Sequence, residues 1–190
     1  MNYIKKLVGD RIYLSPKVVS EEEVEKFTNW MNDFQVTDYT GRSSAVVSYE
    51  TEKDWLEKAS KNNDDIILNI ITLDENKLIG TIGIHHINNI ARSAVLGIFI
   101  GDGDYRSHGY GTEAIKLILD FVFNYLNLNS MSLTLLDVNE RAHKCYLKSG
   151  FKDTGRLRKN CFINGHYHDT LYMDILKEEF EGEYIRNKNV

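Results

Sequence analysis

Residues Arg106-Ser107-His108-Gly109-Tyr110-Gly111-Thr112 form a segment that could hold an anion. The segment joins an apolar run, residues 94–100, to an amphipathic run that continues past Phe121. The first backbone N–H groups of a helix have no partner inside the helix, and the helix dipole favours negative charge there. Glycine also lets a ligand approach the backbone closely and permits a positive φ. The segment therefore predicts a phosphate-binding loop at the start of a helix.

Two common phosphate-binding motifs do not match this segment. A P-loop needs a glycine followed by a lysine, and the chain contains no Gly-Lys pair. A dinucleotide fingerprint needs a third glycine, but Arg106 stands at that position after Gly101 and Gly103. The pattern that is present is Arg-x-x-Gly-x-Gly at positions 106, 109 and 111. An ordinary glycine-rich turn between a strand and a helix remains an alternative.

Composition predicts a single globular domain in the cytoplasm. The chain has 190 residues and a net charge of −5, which argues against a nucleic-acid partner held by charge. No apolar run is long enough to span a membrane, and the N-terminus lacks the apolar core of a signal peptide, so no membrane partner is expected. Cys145 and Cys161 are not in a metal- or redox-type spacing, which favours reduced thiols.

The hydrophobic pattern predicts a mixed α/β fold with a mostly antiparallel central sheet and helices on both faces. We expect strands over residues 11–15, 66–73, 78–87, 94–100, 131–138, 151–155 and 162–176. We expect helices over residues 21–34, 48–59, 109–126 and 139–149. The domain would then occupy residues 1–176, and residues 177–190 would be a polar tail that frays.

A second group of residues lies downstream of the loop. Asn139, Ala142, Tyr146, Gly150 and Phe151 form the pattern Asn-x-x-Ala-x-x-x-Tyr-x-x-x-Gly-Phe. Together with Arg-x-x-Gly-x-Gly, in this order and with a strand between them, this pattern resembles the GNAT superfamily of N-acetyltransferases. The resemblance covers residues 11–176 and implies the GNAT fold, with acetyl-CoA as co-substrate and no metal.

Finer similarities point to the bacterial branch that contains ribosomal-protein N-terminal and spermidine acetyltransferases. They lie in Arg92-Ser93-Ala94, in residues 139–142 and in residues 162–169. Spermidine enzymes carry an acidic segment between the first two helices. Residues 38–44 here contain one acid, Asp38, and one base, Arg42, so the sequence departs from the polyamine pattern.

The resemblance implies roles for several residues. Tyr146 would be the general acid that protonates the leaving thiolate, with a core tyrosine as the alternative. The backbone of Ile98, Phe99 and Ile100 would bind the pantetheine arm, and N–H groups of this strand would stabilise the carbonyl oxygen. Arg106 to Thr112 would surround the pyrophosphate, with Arg106 either in direct contact or solvated. Asn139 would bind the pantetheine amides or only cap its helix.

The general base is less well determined. His85 and His86 lie on the strand before residues 94–100, and imidazole suits proton abstraction at neutral pH. In a regular strand their side chains would point to opposite faces. We favour His86, because spermidine enzymes have a glutamate there. His166 and His168 would line the acceptor cleft or a dimer contact; a metal site is not expected, because no acid or cysteine partner is evident.

The sequence therefore predicts a cytoplasmic acetyl-CoA-dependent N-acetyltransferase that works by direct attack of a primary amine. The preferred acceptor is a small amine, polyamine-like or an antibiotic. Three alternatives remain: N-terminal acetylation of a ribosomal protein, a non-catalytic CoA-binding regulator and an unrelated nucleotide-binding domain. The resemblance also suggests a homodimer, formed through the terminal strands.

Overall fold

An eight-stranded sheet forms the centre of the fold in the computed structural model, which describes residues 3–62 and 64–187. The strand order is β1-β2-β3-β4-β5-β6-β8-β7, and every neighbouring pair is antiparallel except β5 and β6. The strands are β1 (Leu7–Val8), β2 (Ile12–Pro16), β3 (Ile66–Thr72), β4 (Leu78–Asn88), β5 (Ser93–Ile100), β6 (Ser130–Leu136), β7 (Lys152–Ile163) and β8 (His166–Leu176). This arrangement confirms the predicted mixed sheet.

Five α-helices in the described ranges connect the strands: α1 (Glu21–Met31), α2 (Phe34–Thr37), α3 (Tyr49–Lys61), α4 (Tyr110–Asn124) and α5 (Glu140–Lys148). The predicted first helix, residues 21–34, is in fact two helices. Asp33 caps α2 by accepting a hydrogen bond from the Gln35 N–H, so α1 ends at Met31. Within the described residues, the helices are too short or too polar to cross a membrane.

The helices cover both faces of the sheet, as predicted. On one face, α4 packs its apolar side against strand residues such as Ile82 and Ile84. On the other face, α1 and α3 bury residues such as Phe27 and Leu56 against Ile71. Successive strand residues alternate between the two faces, so a ligand that crosses the sheet meets two different sets of side chains.

The parallel neighbours β5 and β6 stay together for only three residue pairs. Ser93 pairs with Ser130 and Val95 with Ser132, and the pairing then stops. The last residues of β5 therefore have no partner strand on the β6 side, whereas β6 continues to pair with β8 through Leu136. The sheet opens at this point, and backbone donors and acceptors of β5 are exposed in the gap.

β7 is longer than the sequence pattern indicated, and β8 begins at His166, four residues after the predicted start of the last strand at 162. The predicted strand 151–155 continues through Ile163 as β7, although most of its side chains are exposed. A tight turn at Asn164 and Gly165, both with positive φ (48° and 81°), joins β7 to β8. Because most β7 side chains are exposed, the segment lacks the alternation of apolar and polar residues that identifies a strand in a sequence.

The chain after β8 packs on the domain, so the expected fraying after residue 176 is wrong for residues 177–187. The Asp120 carboxylate on α4 accepts hydrogen bonds from the backbone N–H groups of Tyr184 (2.6 Å) and Ile185 (3.0 Å). Ile185 is buried, and Phe180 and Tyr184 contact the same core. The domain thus extends at least to residue 187, and residues 188–190 of the predicted tail lie outside the described residues.

Removing the Asp120 carboxylate should destabilise the domain. In Asp120→Ala the two N–H groups lose a charged acceptor in a buried place, which should lower the free energy of unfolding by about 3 kcal/mol. Urea denaturation of both proteins measures this difference. Glu25→Gln, at an exposed position on α1, is the control and should change stability by less than about 0.5 kcal/mol. Equal stability of Asp120→Ala and the unaltered chain would show that residues 180–187 do not depend on this carboxylate.

Candidate active site

A cavity of about 930 Å³ occupies the gap between β5 and β6 and extends to both faces of the sheet. Its walls include Arg106, Gly109 and Cys145 near α4 and α5, and Phe27 and Trp55 near α1 and α3. The predicted phosphate loop therefore opens into the same space as the opposite face of the sheet. Such a passage lets a long ligand on one side meet a second ligand on the other.

The phosphate loop has the geometry that anion binding requires. Ser107 (φ 64°) and Gly109 (φ 87°) both adopt left-handed backbone conformations, which fold the loop tightly before α4 begins. In the part of the chain that the structure describes, the backbone N–H groups of residues 107–112 have no acceptor. Unpaired N–H groups at a helix N-terminus form a ready site for phosphate oxygens.

Arg106 contacts the protein itself. Its Nε donates to the Ile100 carbonyl (3.0 Å), and its Nη2 donates to the Gly101 carbonyl (2.6 Å). The guanidinium is half-buried, so the solvated arginine considered from the sequence is wrong. These bonds tie the end of β5 to the phosphate loop and fix the loop beside the gap.

A second arginine fixes the other side of the loop. Arg11, in the turn between β1 and β2, pairs with Glu113 on α4 (2.9 Å) and donates to the His108 carbonyl (2.9 Å). The Glu113 carboxylate also accepts from the backbone N–H groups of Asp10 and Arg11. The first turn of α4 is therefore anchored to the sheet. The sequence pattern did not single out either residue, because their separation along the chain hides the contact.

Three basic residues on α5 add positive charge near the loop. Arg141, Lys144 and Lys148 all line the cavity. Their spacing of three and four residues places them on one face of the helix. The sequence pattern did not single out these residues. Arg141 also lies over the Tyr39 ring, 5.6 Å from its centroid.

Tyr146 lies on the wall of the cavity and is almost fully buried, with 7% of its surface exposed. Its ring packs against Phe151 with centroids 5.9 Å apart. Burial, and to a lesser extent the neighbouring Cys145, raises the pKa of the phenol above its usual value, so the phenol is protonated at neutral pH. Among the described residues its hydroxyl has no hydrogen-bond partner. The proton is therefore available to a ligand in the cavity.

Cys145 is not arranged as a nucleophile. Its sulfur lies 3.2 Å from Thr112 Oγ1, and burial raises the pKa of the thiol. A raised pKa keeps the thiol protonated, whereas a reactive cysteine needs a lowered one. Cys145 packs α5 against the phosphate loop.

The other residues predicted to contact the cofactor also line the cavity. The Asn139 carboxamide oxygen accepts from the Ala142 N–H (3.1 Å), so Asn139 caps α5, and its amide nitrogen is left for a ligand. Ile98, Phe99 and Ile100 lie in the part of β5 that pairs with β4 but not with β6. The Phe99 ring packs edge-on against Phe27 and holds the strand on the α1 side.

The far end of the cavity is aromatic and contains one carboxylate. Phe27, Tyr39 and Trp55 line it together with Glu52, whose surface is only 5% exposed. Burial raises the pKa of Glu52, while Lys17 and Arg42 act in the opposite direction. A carboxylate among aromatic rings suits a cationic ligand with an apolar body. The sequence did not indicate Glu52, because it lies within an ordinary polar helix.

A buried lysine stands behind this aromatic end. Lys17 Nζ lies 3.7 Å from the Phe27 ring centroid. Burial lowers the pKa of Lys17 to about 7, although attraction to Glu23 and Glu52 opposes the shift. The lowered pKa makes Lys17 a weaker counter-ion for Glu52 than an ordinary lysine would be.

The histidines are distributed unequally. His85 and His86 both line the cavity, whereas His166 and His168 do not. His168 Nδ1 instead faces Asp137 Oδ1 at 3.5 Å, and His166 is exposed at the hairpin turn, which removes both from the acceptor cleft. Over residues 3–62 and 64–187, no cluster of three or more His, Cys, Asp or Glu residues is arranged to hold a metal.

A family model for the acetyltransferase (GNAT) domain matches residues 11–152. The chain belongs to the GNAT acetyltransferase family. The phosphate loop, the gap in the sheet and α5 all lie inside the matched region, so the features described above are those of the GNAT domain. The match ends at the first residue of β7.

Curated relatives of the chain are named as N-acetyltransferases. The chain is 30% identical over 111 residues to "Putative ribosomal N-acetyltransferase YdaF" of Bacillus subtilis, covering 58% of this chain and 60% of the relative. It is 34% identical over 105 residues to spermidine N(1)-acetyltransferase of Escherichia coli, covering 55% and 56%. The chain thus spans less than two thirds of these curated relatives.

A solved structure extends the likeness over most of the chain. Spermidine N-acetyltransferase from Vibrio cholerae, in complex with CoA and spermine, superimposes with a TM-score of 0.79 at 26% identity. The superposition covers 88% of this chain and 96% of that one. The likeness therefore extends beyond residues 11–152, which the family model matches.

Substitution of Gly109 should weaken CoA binding. The residue has a φ of 87°, and a Cβ would lie 3.2 Å from Arg11 Nη2, so Gly109→Ala should distort the loop. The strain of a left-handed residue is about 1–2 kcal/mol, which predicts a roughly tenfold higher Kd for CoA by isothermal titration calorimetry.

Gly165→Ala provides a matched control. Gly165 has a similar φ of 81°, but it lies in the β7–β8 turn, where a Cβ would meet nothing within 4 Å. Its Kd for CoA should equal that of the unaltered chain. If Gly109→Ala also binds CoA normally, the loop does not hold the cofactor in this conformation.

Proposed function

We propose that this chain is an acetyl-CoA-dependent N-acetyltransferase that transfers the acetyl group to a primary amine by direct attack in a ternary complex. The observation that carries this proposal is the gap between β5 and β6, which joins the phosphate loop on one face to the aromatic pocket on the other. Membership of the GNAT family and the relatives' names support the same reaction.

CoA would enter from the α4 and α5 side. The pyrophosphate would accept hydrogen bonds from the backbone N–H groups of residues 107–112, close to the charges of Arg141, Lys144 and Lys148. The pantetheine arm would add to the unpaired edge of β5 at Ile98–Ile100 as an extra strand. The free amide nitrogen of Asn139 would donate to a pantetheine carbonyl. The thioester would then lie in the gap, beside Tyr146.

The transfer needs three events at the thioester. The neutral amine attacks the carbonyl carbon, and the new C–N bond forms while the negative charge on oxygen is met by backbone N–H groups of β5. The C–S bond then breaks and its electron pair goes to sulfur. Tyr146 gives its proton to the thiolate and is reprotonated from solvent, while a base takes the proton that the amine nitrogen loses.

The aromatic pocket favours a small cationic amine as acceptor. Glu52 would attract an ammonium group, and Phe27, Tyr39 and Trp55 would pack on its carbon chain. The V. cholerae relative, solved with spermine, supports a polyamine-like acceptor. The name of YdaF supports the second candidate, N-terminal acetylation of a ribosomal protein. A purely CoA-binding regulator would not need a protonated phenol in the gap, which weighs against that alternative.

We also propose that the protein works in the cytoplasm as a homodimer, without nucleic-acid or membrane partners. Support for the dimer comes from β7, a long edge strand whose side chains are mostly exposed. The neighbouring rings of Phe162 and Tyr167 are 60% and 65% exposed. Light scattering after size-exclusion chromatography gives the mass directly, and a monomer at micromolar concentration would contradict this part.

Tyr146→Phe should separate catalysis from binding. The enzyme is incubated with acetyl-CoA and a panel of polyamines, amino acids, aminoglycosides and N-terminal peptides, and the released CoA thiol is measured. Loss of the acidic proton should lower kcat by about 10²–10³ with the best acceptor. The Kd for CoA should stay within twofold. Unchanged kcat would remove Tyr146 from the mechanism, and silence of the unaltered chain across the panel would favour the regulator.

Glu52→Gln should weaken binding of the acceptor and leave binding of CoA unchanged. Removing a buried charge that pairs with an ammonium group should raise KM for a polyamine at least tenfold, because a charge-assisted hydrogen bond contributes about 1.5–3 kcal/mol. Steady-state kinetics at saturating acetyl-CoA measures this effect. The control is Glu50→Gln, an exposed position on the same helix. If both variants share the KM of the unaltered chain, the acceptor does not bind at the aromatic end.

A further inference from the structure

A histidine and an aspartate form a pair at the edge of the acceptor side of the cavity. His85 Nδ1 lies 3.1 Å from Asp65 Oδ2. The pair follows from strand register, since Ile66 on β3 faces Ile84 on β4, so the next residues out, Asp65 and His85, are also opposite. Opposed residues of antiparallel strands point to the same face. Sequence inspection alone did not connect them, because twenty positions separate them.

The hydrogen bonds of Asp65 determine where the His85 proton lies. Asp65 Oδ1 accepts from the His86 backbone N–H (3.1 Å), while Oδ2 faces His85 Nδ1. Burial raises the pKa of Asp65, but the two hydrogen bonds outweigh it and the pKa is lowered overall. An ionised carboxylate only accepts, so Nδ1 must carry the proton. In the neutral ring Nε2 then has a free lone pair.

The Nε2 end of His85 lies over a bare part of the sheet. Gly83 on β4 and Gly97 on β5 are register partners, and neither has a side chain. A Cβ on Gly83 would be 2.5 Å from His85 Nε2, and one on Gly97 would be 3.0 Å from it. The imidazole therefore needs both glycines. Gly97 comes two residues after Val95, the last residue of β5 that pairs with β6, so Nε2 is beside the start of the gap.

His86 has a different environment. Its φ of 52° places it in a left-handed conformation at the β-bulge where β4 and β5 change register between His85 and Asn88. The alternation assumed for a regular strand therefore does not apply here. The His86 side chain is exposed, and only its backbone N–H contacts Asp65. The bulge supplies that N–H to Asp65 and leaves His85 over the glycines.

We propose that His85 is the general base of the transfer and that Asp65 is its positioning residue, in place of the His86 assignment made from the sequence. The inference rests on the proposed acetyltransferase function. As the C–N bond forms, the amine proton passes to His85 Nε2, the C–S electron pair goes to sulfur and Tyr146 protonates the thiolate. Within the described residues His85 Nε2 has no hydrogen-bond partner, and its side chain is 30% exposed to the cavity. The titratable and charged side chains around this end include Asp65, His86, Glu52, Arg42, Tyr39 and Arg141.

Nitrogen NMR of the ¹⁵N-histidine-labelled protein tests the pair without any turnover. We expect the neutral ring of His85 to carry its proton on Nδ1, with Nε2 showing the shift of a bare nitrogen; His85→Gln assigns the signal. In Asp65→Ala the neutral ring of His85 should populate both tautomers. His143, whose Nε2 faces Asp153 at 2.9 Å, is the internal reference and should keep its proton on Nε2 in both proteins. A proton on His85 Nε2 in the unaltered chain would overturn the proposal.

Kinetics test the base directly. At neutral pH His85→Gln should lower kcat/KM for the acceptor about 100-fold, while the Kd for CoA stays the same. The deficit should persist up to the pKa of the acceptor amine, because the neutral amine must still lose a proton to Nε2 as the C–N bond forms. Asp65→Ala should lower kcat about tenfold with little change in KM. His143→Gln, which removes a His–Asp pair that does not line the cavity, is the control and should keep full activity.

The outcomes separate this inference from the proposed function. If the unaltered chain acetylates no amine, the acetyltransferase proposal fails. If the unaltered chain is active and His85→Gln is equally active at neutral pH, only the base assignment fails. A larger loss in His86→Gln than in His85→Gln would return the role to His86. A weakening of CoA binding in His85→Gln that matches its loss of kcat/KM would indicate a structural role.

Discussion

The early divergence of β5 from β6 is the feature on which the rest of the site depends. Three pairs hold the strands together, and beyond Val95 the backbone of β5 has no partner strand on the β6 side. Unpaired backbone groups in a protein interior are unfavourable unless a ligand or solvent satisfies them. The gap therefore both costs stability and creates the binding edge. The other features of the site either hold the phosphate loop beside this gap or place reactive side chains in it.

Two arginines keep the gap open in different ways. Arg106 holds the carbonyls at the end of β5, and Arg11 holds the His108 carbonyl and Glu113 at the start of α4. Together they fix both ends of the phosphate loop without using its N–H groups. The loop can thus be preorganised for an anion before the anion arrives. Preorganisation of this kind lowers the ordering that binding requires.

The sequence correctly predicted the elements that have a regular local pattern. The amphipathic pattern of α4, the apolar runs of β3 to β6 and the Asn164-Gly165 turn were all predicted from local residues. The prediction failed for segments that lack a local pattern and depend on contacts with distant residues. Residues 177–187 look polar, yet Asp120 on α4 binds them. β7 shows no apolar alternation, because most of its side chains are exposed.

The cofactor side of the site was more predictable than the acceptor side. The glycine spacing of the loop and the position of Tyr146 are local signals. Glu52, Asp65 and the placement of His85 over Gly83 and Gly97 depend on strand register and on one β-bulge, which a single sequence does not reveal. A one-residue change in register exchanges the faces of two neighbouring histidines. The base assignment therefore changed once the register was known.

A crystal structure of the protein with CoA would test whether the β5–β6 gap binds the cofactor. We expect pantetheine amides hydrogen-bonded to the β6-side edge of β5 at Ile98–Ile100, with the pyrophosphate on the N–H groups of residues 107–112. The β5–β6 gap should be as wide as in the free protein. Pantetheine bound outside the gap, or β5 paired with β6 beyond Val95, would show that the gap is not the cofactor site.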